Sequence, residues 1–197
     1  MLSYIETSFV EDSTLCDDLI DYHKKSKNKR HGIIGTGYDG SKKSIDVAVS
    51  RFEIGTNDVI KRYFNHLQDS IENYHKKYPN TSLIKEWGLL EDFNIQKYKP
   101  GEGFTNLHCE RCNGNFPVSH RFLVFMTYLN DVQVSGGTEF PDQNRCYLAR
   151  KNTTLIWPSE WTHPHKGVIA PNEEKYIITG WFTIIHGIDN DMIARYE

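Results

Sequence analysis

Arg121-Phe122-Leu123-Val124-Phe125-Met126-Thr127-Tyr128-Leu129-Asn130-Asp131 is an apolar, aromatic-rich run that breaks off in a polar turn. Such a run reads as a β-strand, because aromatic and branched side chains fill a pleated surface well. Short runs of similar texture flank it at 91–98, 104–109, 147–148, 153–157, 165–169 and 176–185. Many short strands at near-regular spacing predict a sandwich or barrel.

The residues before Gly88 read differently. Asp12 or Ser13 is expected to cap a first helix through about Ser26, with Leu15, Leu19, Ile20 and His23 at helical spacing. Gly32 to Gly40 reads as an exposed loop and a candidate lid, and Ser44 to Phe52 as a strand. Thr56 or Asn57 caps the clearest helix. Val59, Ile60, Tyr63, Phe64, Leu67, Ile71 and Tyr74 line one face of it, and Pro79-Asn80 stops it. The expectation is a single domain over 1–197, helical over about 1–88 and all-β over about 89–190. Its fold class is α+β: a jelly roll (double-stranded β-helix) with the N-terminal helices packed on one face.

A net charge of −3 and a pI near 6.3 give no electrostatic argument for a nucleic acid or an anionic membrane as partner. The basic run from Lys24 to Arg30 reads as a solvated helix end. No stretch approaches the roughly 20 apolar residues of a membrane span, and the N-terminus has no basic, apolar leader, so the expected location is cytoplasmic. The four cysteines, Cys16, Cys109, Cys112 and Cys146, are then expected as free thiols.

Four residues carry chemistry. His108 and Glu110 stand two apart, and strand alternation would point both to one side. A second imidazole, His165, would complete a 2-His-1-carboxylate triad, which leaves three adjacent positions of an octahedral Fe(II) open. Lys175 lies beside the apolar strand Tyr176-Ile177-Ile178-Thr179-Gly180-Trp181-Phe182, where a cation needs an anion. His163 competes with His165 for the distal position. Cys109 and Cys112 form one Cys-x2-Cys pair, short of the four ligands of a structural zinc site.

The order of motifs is informative. Tyr98-Lys99-Pro100-Gly101-Glu102-Gly103 leads into His108-Cys109-Glu110. Then come Arg121, the Tyr128-Leu129-Asn130 strand, the Gly136-Gly137-Thr138-Glu139-Phe140-Pro141 connection, His165, Lys175 and Trp181. This series resembles the prolyl 4-hydroxylase-like branch of the Fe(II)/2-oxoglutarate-dependent dioxygenases, over roughly residues 90 to 185. Two departures stand out: Glu110 replaces the usual Asp, and Thr138 directly follows the glycines. The resemblance implies Fe(II) on His108, Glu110 and His165, and 2-oxoglutarate held by Lys175 with Tyr128 and Thr138. It further implies O2 as oxidant, ascorbate in a supporting role, and hydroxylation of a C–H bond with release of succinate. Peptidyl proline, in a protein or peptide, is the substrate it suggests, with Arg121, Tyr98 and Trp181 as candidate contacts and the 111–119 segment as a candidate specificity loop. Two other readings stay open: a jelly-roll binding module without turnover, and an oxygenase of small molecules or nucleobases.

Overall fold

The structure, a computed structural model, describes residues 2–33, 40–185 and 187. Along the chain run β1 (Glu6–Phe9), α1 (Leu15–Lys25), β2 (Lys29–His31), β3 (Ile45–Val49), α2 (Asp58–Lys77), β4 (Trp87–Gly88) and β5 (Phe93–Tyr98). There follow β6 (Arg121–Tyr128), β7 (Thr138–Phe140), β8 (Arg145–Tyr147), β9 (Thr153–Pro158), β10 (Lys166–Gly167) and β11 (Lys175–Ile184). An eight-stranded antiparallel sheet has the order β1-β9-β6-β11-β5-β3-β2, with β4 also paired to β11. A three-stranded sheet, β10-β7-β8, forms the second layer. The class is α+β, a double-stranded β-helix with helices on one face.

Side chains alternate across a strand, so the large sheet serves two cores at once. On β11, Tyr176, Ile178 and Phe182 face the helices, while Ile177 and Trp181 belong to the opposite side. On β6, Leu123 and Phe125 take the helix side, and Val124, Met126 and Tyr128 the other. Leu15 and Leu19 of α1 and Ile60, Tyr63, Leu67 and Tyr74 of α2 complete the helix-side core. Each such side chain, fully buried, stabilises the fold by roughly 1.5–3 kcal/mol. The other core lies under the small sheet, which contributes Phe140.

Asn57 caps α2: its side chain accepts from the N–H groups of Val59 and Ile60 at 3.1 and 3.4 Å. Basic His75, Lys76 and Lys77 end the helix and oppose its dipole favourably. For α1 the cap position is Thr14 rather than Asp12 or Ser13, and Asp12 instead accepts the Thr14 N–H at 3.1 Å.

Several expectations need correction. The N-terminal part is not only helical, since β1, β2 and β3 all join the large sheet. The basic run is divided: Lys24 and Lys25 end α1, whereas Lys29 and Arg30 lie in the edge strand β2. No strand covers 104–109; the single bridges Lys42–Phe104 and His108–His165, with the Gly167 N–H donating to the Phe104 carbonyl at 2.8 Å, tie that segment down. Conversely, Thr138-Glu139-Phe140, read as part of a turn, is β7. Gly137 makes this possible, because a Cβ there would lie 2.3 Å from the Tyr147 carbonyl oxygen across the β7–β8 pair. Most of the candidate lid at Gly32 to Gly40 lies outside the described residues. Among the described residues no helix is long and apolar enough to cross a membrane.

Candidate active site

The sheet face turned away from the helices floors a pocket of about 530 Å³. His108, Glu110 and His165 meet in it, with one donor atom from each within 4.8 Å of the others. Both Nε2 atoms lie 3.4 Å from Oε1 of Glu110. Strand parity is not what unites them. The His108 N–H donates to the His165 carbonyl at 3.1 Å, and the His165 N–H returns the bond at 2.8 Å. The N–H groups of Glu110 and Arg111 both donate to the Ser159 carbonyl, at 3.1 and 2.9 Å. Two irregular segments, pinned to each other by backbone, carry the three side chains.

The tautomers follow from the neighbours. Nδ1 of His108 lies 2.8 Å from the Asn106 carbonyl, and Nδ1 of His165 lies 3.1 Å from the His163 carbonyl. A carbonyl only accepts, so both Nδ1 atoms carry hydrogen and both Nε2 lone pairs are free to ligate. His163 is directed elsewhere: its ring nitrogens meet the Ser3 carbonyl at 2.9 Å and the Thr162 hydroxyl at 3.0 Å. Burial opposes the charge on Glu110, yet the imidazoles, whenever an Nε2 carries a proton in place of a metal, hold its carboxyl well below the usual carboxylate range.

The longer stem of glutamate is restrained. Oε2 of Glu110 accepts from the Trp181 indole N–H at 2.9 Å and from the Arg121 guanidinium at 3.4 Å. Arg121 also donates to both oxygens of Glu91, at 2.6 and 2.9 Å, and lies 3.5 Å over the Trp181 ring. Arg121 and Trp181, the candidate substrate contacts, both line the pocket, with the indole N–H on Glu110 and the guanidinium shared between Glu91 and Glu110.

Lys175 is 4 % exposed at the start of β11. Its ammonium donates to the carbonyls of Gly136 at 2.9 Å and Val168 at 3.4 Å and lies 5.0 Å from the centre of the Tyr98 ring. Among the described residues no carboxylate pairs with it, and burial lowers its pKa from 10.5 to about 8. Tyr98 spends its hydroxyl on Oε1 of Gln96, at 2.7 Å. The Tyr128 and Thr138 hydroxyls are bonded to each other at 2.7 Å, with the Tyr147 carbonyl 3.2 Å from Tyr128.

The residues present fit the group that the motifs imply. Two imidazole nitrogens and a carboxylate oxygen are the donors of a facial Fe(II) site, and the buried, carboxylate-free ammonium in the same pocket suits a dicarboxylate. Cys109 and Cys112 are free thiols on the pocket lining, and among the described residues the histidine–glutamate trio is the one cluster able to hold a metal. Sequence reasoning missed Lys42, Asp46 and Gln96 and set Thr179 aside as out of step with Lys175, yet all four line the pocket. Thr179 shares the strand parity of Lys175, and Gln96 that of Tyr98, so alternation on β11 and β5 held the signal for both.

The description "2OG-Fe(II) oxygenase superfamily" belongs to a sequence family whose profile matches residues 93–183, from β5 to the end of β11. The match covers a little under half of the chain and makes those residues similar to this superfamily. The chain is an Fe(II)/2-oxoglutarate-dependent dioxygenase, and the matched span contains the whole histidine–glutamate trio and Lys175. Among curated proteins, none matches this oxygenase in sequence. Its fold is similar to that of the viral collagen prolyl hydroxylase of Paramecium Bursaria Chlorella virus-1, with a TM-score of 0.68, 19 % identity, and coverage of 93 % of this chain and 90 % of that one. The Pseudomonas putida prolyl-4-hydroxylase gives 0.67 at 13 % identity, covering 91 % and 92 %. A Trichoplax adhaerens prolyl hydroxylase, solved with a hypoxia inducible factor peptide fragment, gives 0.68 at 16 % identity, covering 92 % and 84 %. At such identities the likeness establishes the fold.

Proposed function

We propose that this oxygenase hydroxylates a prolyl residue of a peptide or protein, using His108, Glu110 and His165 to hold Fe(II) and Lys175 to anchor the distal carboxylate of 2-oxoglutarate. One observation carries the reading: a buried ammonium, without a carboxylate partner among the described residues, shares a pocket with two correctly tautomerised imidazoles and a clamped carboxylate. When bound, iron and 2-oxoglutarate supply the oxidising chemistry with O2, giving succinate and carbon dioxide and placing one oxygen atom on a C–H bond.

The chain's own residues position and shield. Trp181 and Arg121 fix the rotamer of Glu110, so one oxygen faces the imidazoles and the other stays engaged. Tyr128 and Thr138 offer hydroxyls on the same pocket wall as Lys175 and support the co-substrate carboxylate there. Met126, Trp157 and Ile177 make neighbouring walls apolar and keep water from the reacting centre. The prolyl assignment draws support from the fold neighbours, which are prolyl hydroxylases, one of them solved with a peptide fragment.

The test incubates the protein with Fe(II), 2-oxoglutarate and a panel of proline-containing peptides, reading succinate and a mass gain of one oxygen atom on the peptide. His108→Ala is the control. Peptide-dependent succinate release in the wild type alone supports the reading. Equal background turnover in both proteins would remove it.

A further inference from the structure

The cross-strand register places five pocket-lining side chains in one row. Arg30 on β2 pairs with Asp46 on β3, Asp46 with Gln96 on β5, Gln96 with Ile177 on β11, and Ile177 with Tyr128 on β6. At about 4.8 Å per strand, Asp46 lies roughly 10 Å to the side of β11, on which Lys175 and Trp181 sit. The row is polar at the Asp46 end, away from the strand that carries the anchor.

Asp46 is 3 % exposed. Its Oδ2 accepts from the ammonium of Lys42 at 2.9 Å, a pair whose side chains are 10 % and 4 % exposed. Gly32 closes over that side, since a Cβ there would meet Cε of Lys42 at 2.9 Å and Oδ2 of Asp46 at 3.2 Å. Among the described residues Oδ1 has no hydrogen-bond partner. Arg30, the cross-strand neighbour, reaches toward Asn94 at 3.5 Å instead, and the Gln96 oxygen is taken by Tyr98. A buried carboxylate oxygen left without a donor is costly, so a donor brought to it by a bound group is favoured.

We infer that Asp46 is a substrate-recognition residue, whose open oxygen accepts a hydrogen bond from a main-chain N–H of the bound peptide. The inference rests on the peptide-substrate reading above. Proline itself has no amide hydrogen, so the donor is the N–H of a residue beside the target proline. Lys42 holds Oδ2 and so fixes the rotamer of Asp46, which leaves Oδ1 as the oxygen available to a bound group. A peptide with a neighbouring N–H is thereby preferred over one that lacks it, because the latter would leave the carboxylate oxygen unpaired on binding.

Binding is measured by titration calorimetry on the full chain loaded with 2-oxoglutarate and Mn(II) in place of Fe(II), and product is measured in parallel with Fe(II). The probes are an acetylated, amidated Pro-Ala repeat peptide and its counterpart with N-methylated alanines. The wild type should bind the methylated peptide at least about tenfold more weakly. Asp46→Asn keeps an oxygen for Lys42 and turns an NH2 group toward the pocket. It should lose that discrimination, while its affinity for 2-oxoglutarate stays at the wild-type value. An equal N-methylation penalty in both proteins overturns the assignment, and the wild-type comparison stands even if the variant folds poorly. Discrimination that depends on Asp46 without any hydroxylated product upholds the subsite and sinks the prolyl reading. Product formed without regard to N-methylation or Asp46 does the reverse. Failure of the wild type to bind either peptide overturns both.

Discussion

The indole N–H of Trp181 donates to Oε2 of Glu110 at 2.9 Å, joining the closing strand to the candidate metal ligand. Trp181→Phe keeps a ring under Arg121 and removes only that donor. Partners of metal ligands typically contribute 10–100-fold in affinity or activity, so Fe(II) binding should weaken by about tenfold or more. A metal titration checks it; unchanged affinity would mean that Arg121 alone holds the carboxylate.

Glu110→Ala removes a ligand rather than its support. Succinate release should fall by more than the roughly 100-fold upper range for an outer partner. The measurement is single-turnover decarboxylation at saturating Fe(II). Activity near the wild-type level would take Glu110 out of the ligand set.

Lys175 should make co-substrate binding sensitive to pH. The ammonium is the form that pairs with a carboxylate, and burial lowers its pKa from 10.5 to about 8 in the free protein. Below about 8 the lysine is charged and affinity is constant. Above it, the charged fraction falls, so the apparent Kd for 2-oxoglutarate should rise toward tenfold per pH unit. Lys175→Arg should flatten the profile, because a guanidinium stays charged throughout. Lys175→Ala should raise the 2-oxoglutarate requirement at every pH and leave metal binding in place. Calorimetric titrations from pH 7 to 9.5 decide it, and a flat wild-type profile would show that another group carries the anchor.

Gly180 sits in β11 between Thr179 and Trp181, and a Cβ there would meet Cζ of Phe125 at 2.4 Å and Cβ of Phe93 at 2.7 Å. Gly180→Ala should therefore destabilise the helix-side core by about 1–3 kcal/mol, the usual cost of overpacking. Equilibrium denaturation measures this, and a neutral change would mean that Phe125 turns aside freely.

Much of this architecture was legible before any coordinates. α2 carries an unbroken apolar stripe behind a good cap, and β6 and β11 are long enough for their texture to be unambiguous. The trio of His108, Glu110 and His165 was picked out on spacing that turned out to act differently, since bridges between loops rather than a strand bring the residues together. β1 was missed because Glu-Thr-Ser-Phe has no alternation of apolar residues and is defined only by its pairing with β9. Gly-Gly-Thr-Glu-Phe hid β7, because the glycines announce a turn while their lack of side chains lets two strands close together. Asp46 could not be found from sequence at all. Its significance comes from which residues stand across from it and from an oxygen that no described residue satisfies.

The two imidazoles are steered in the same way, each by the carbonyl two positions before it, from Asn106 and from His163. Neither prop is a side chain, so no single substitution at residue 106 or 163 deletes it. Changes in the surrounding side chains can therefore alter who is recognised without altering which nitrogen faces the ion.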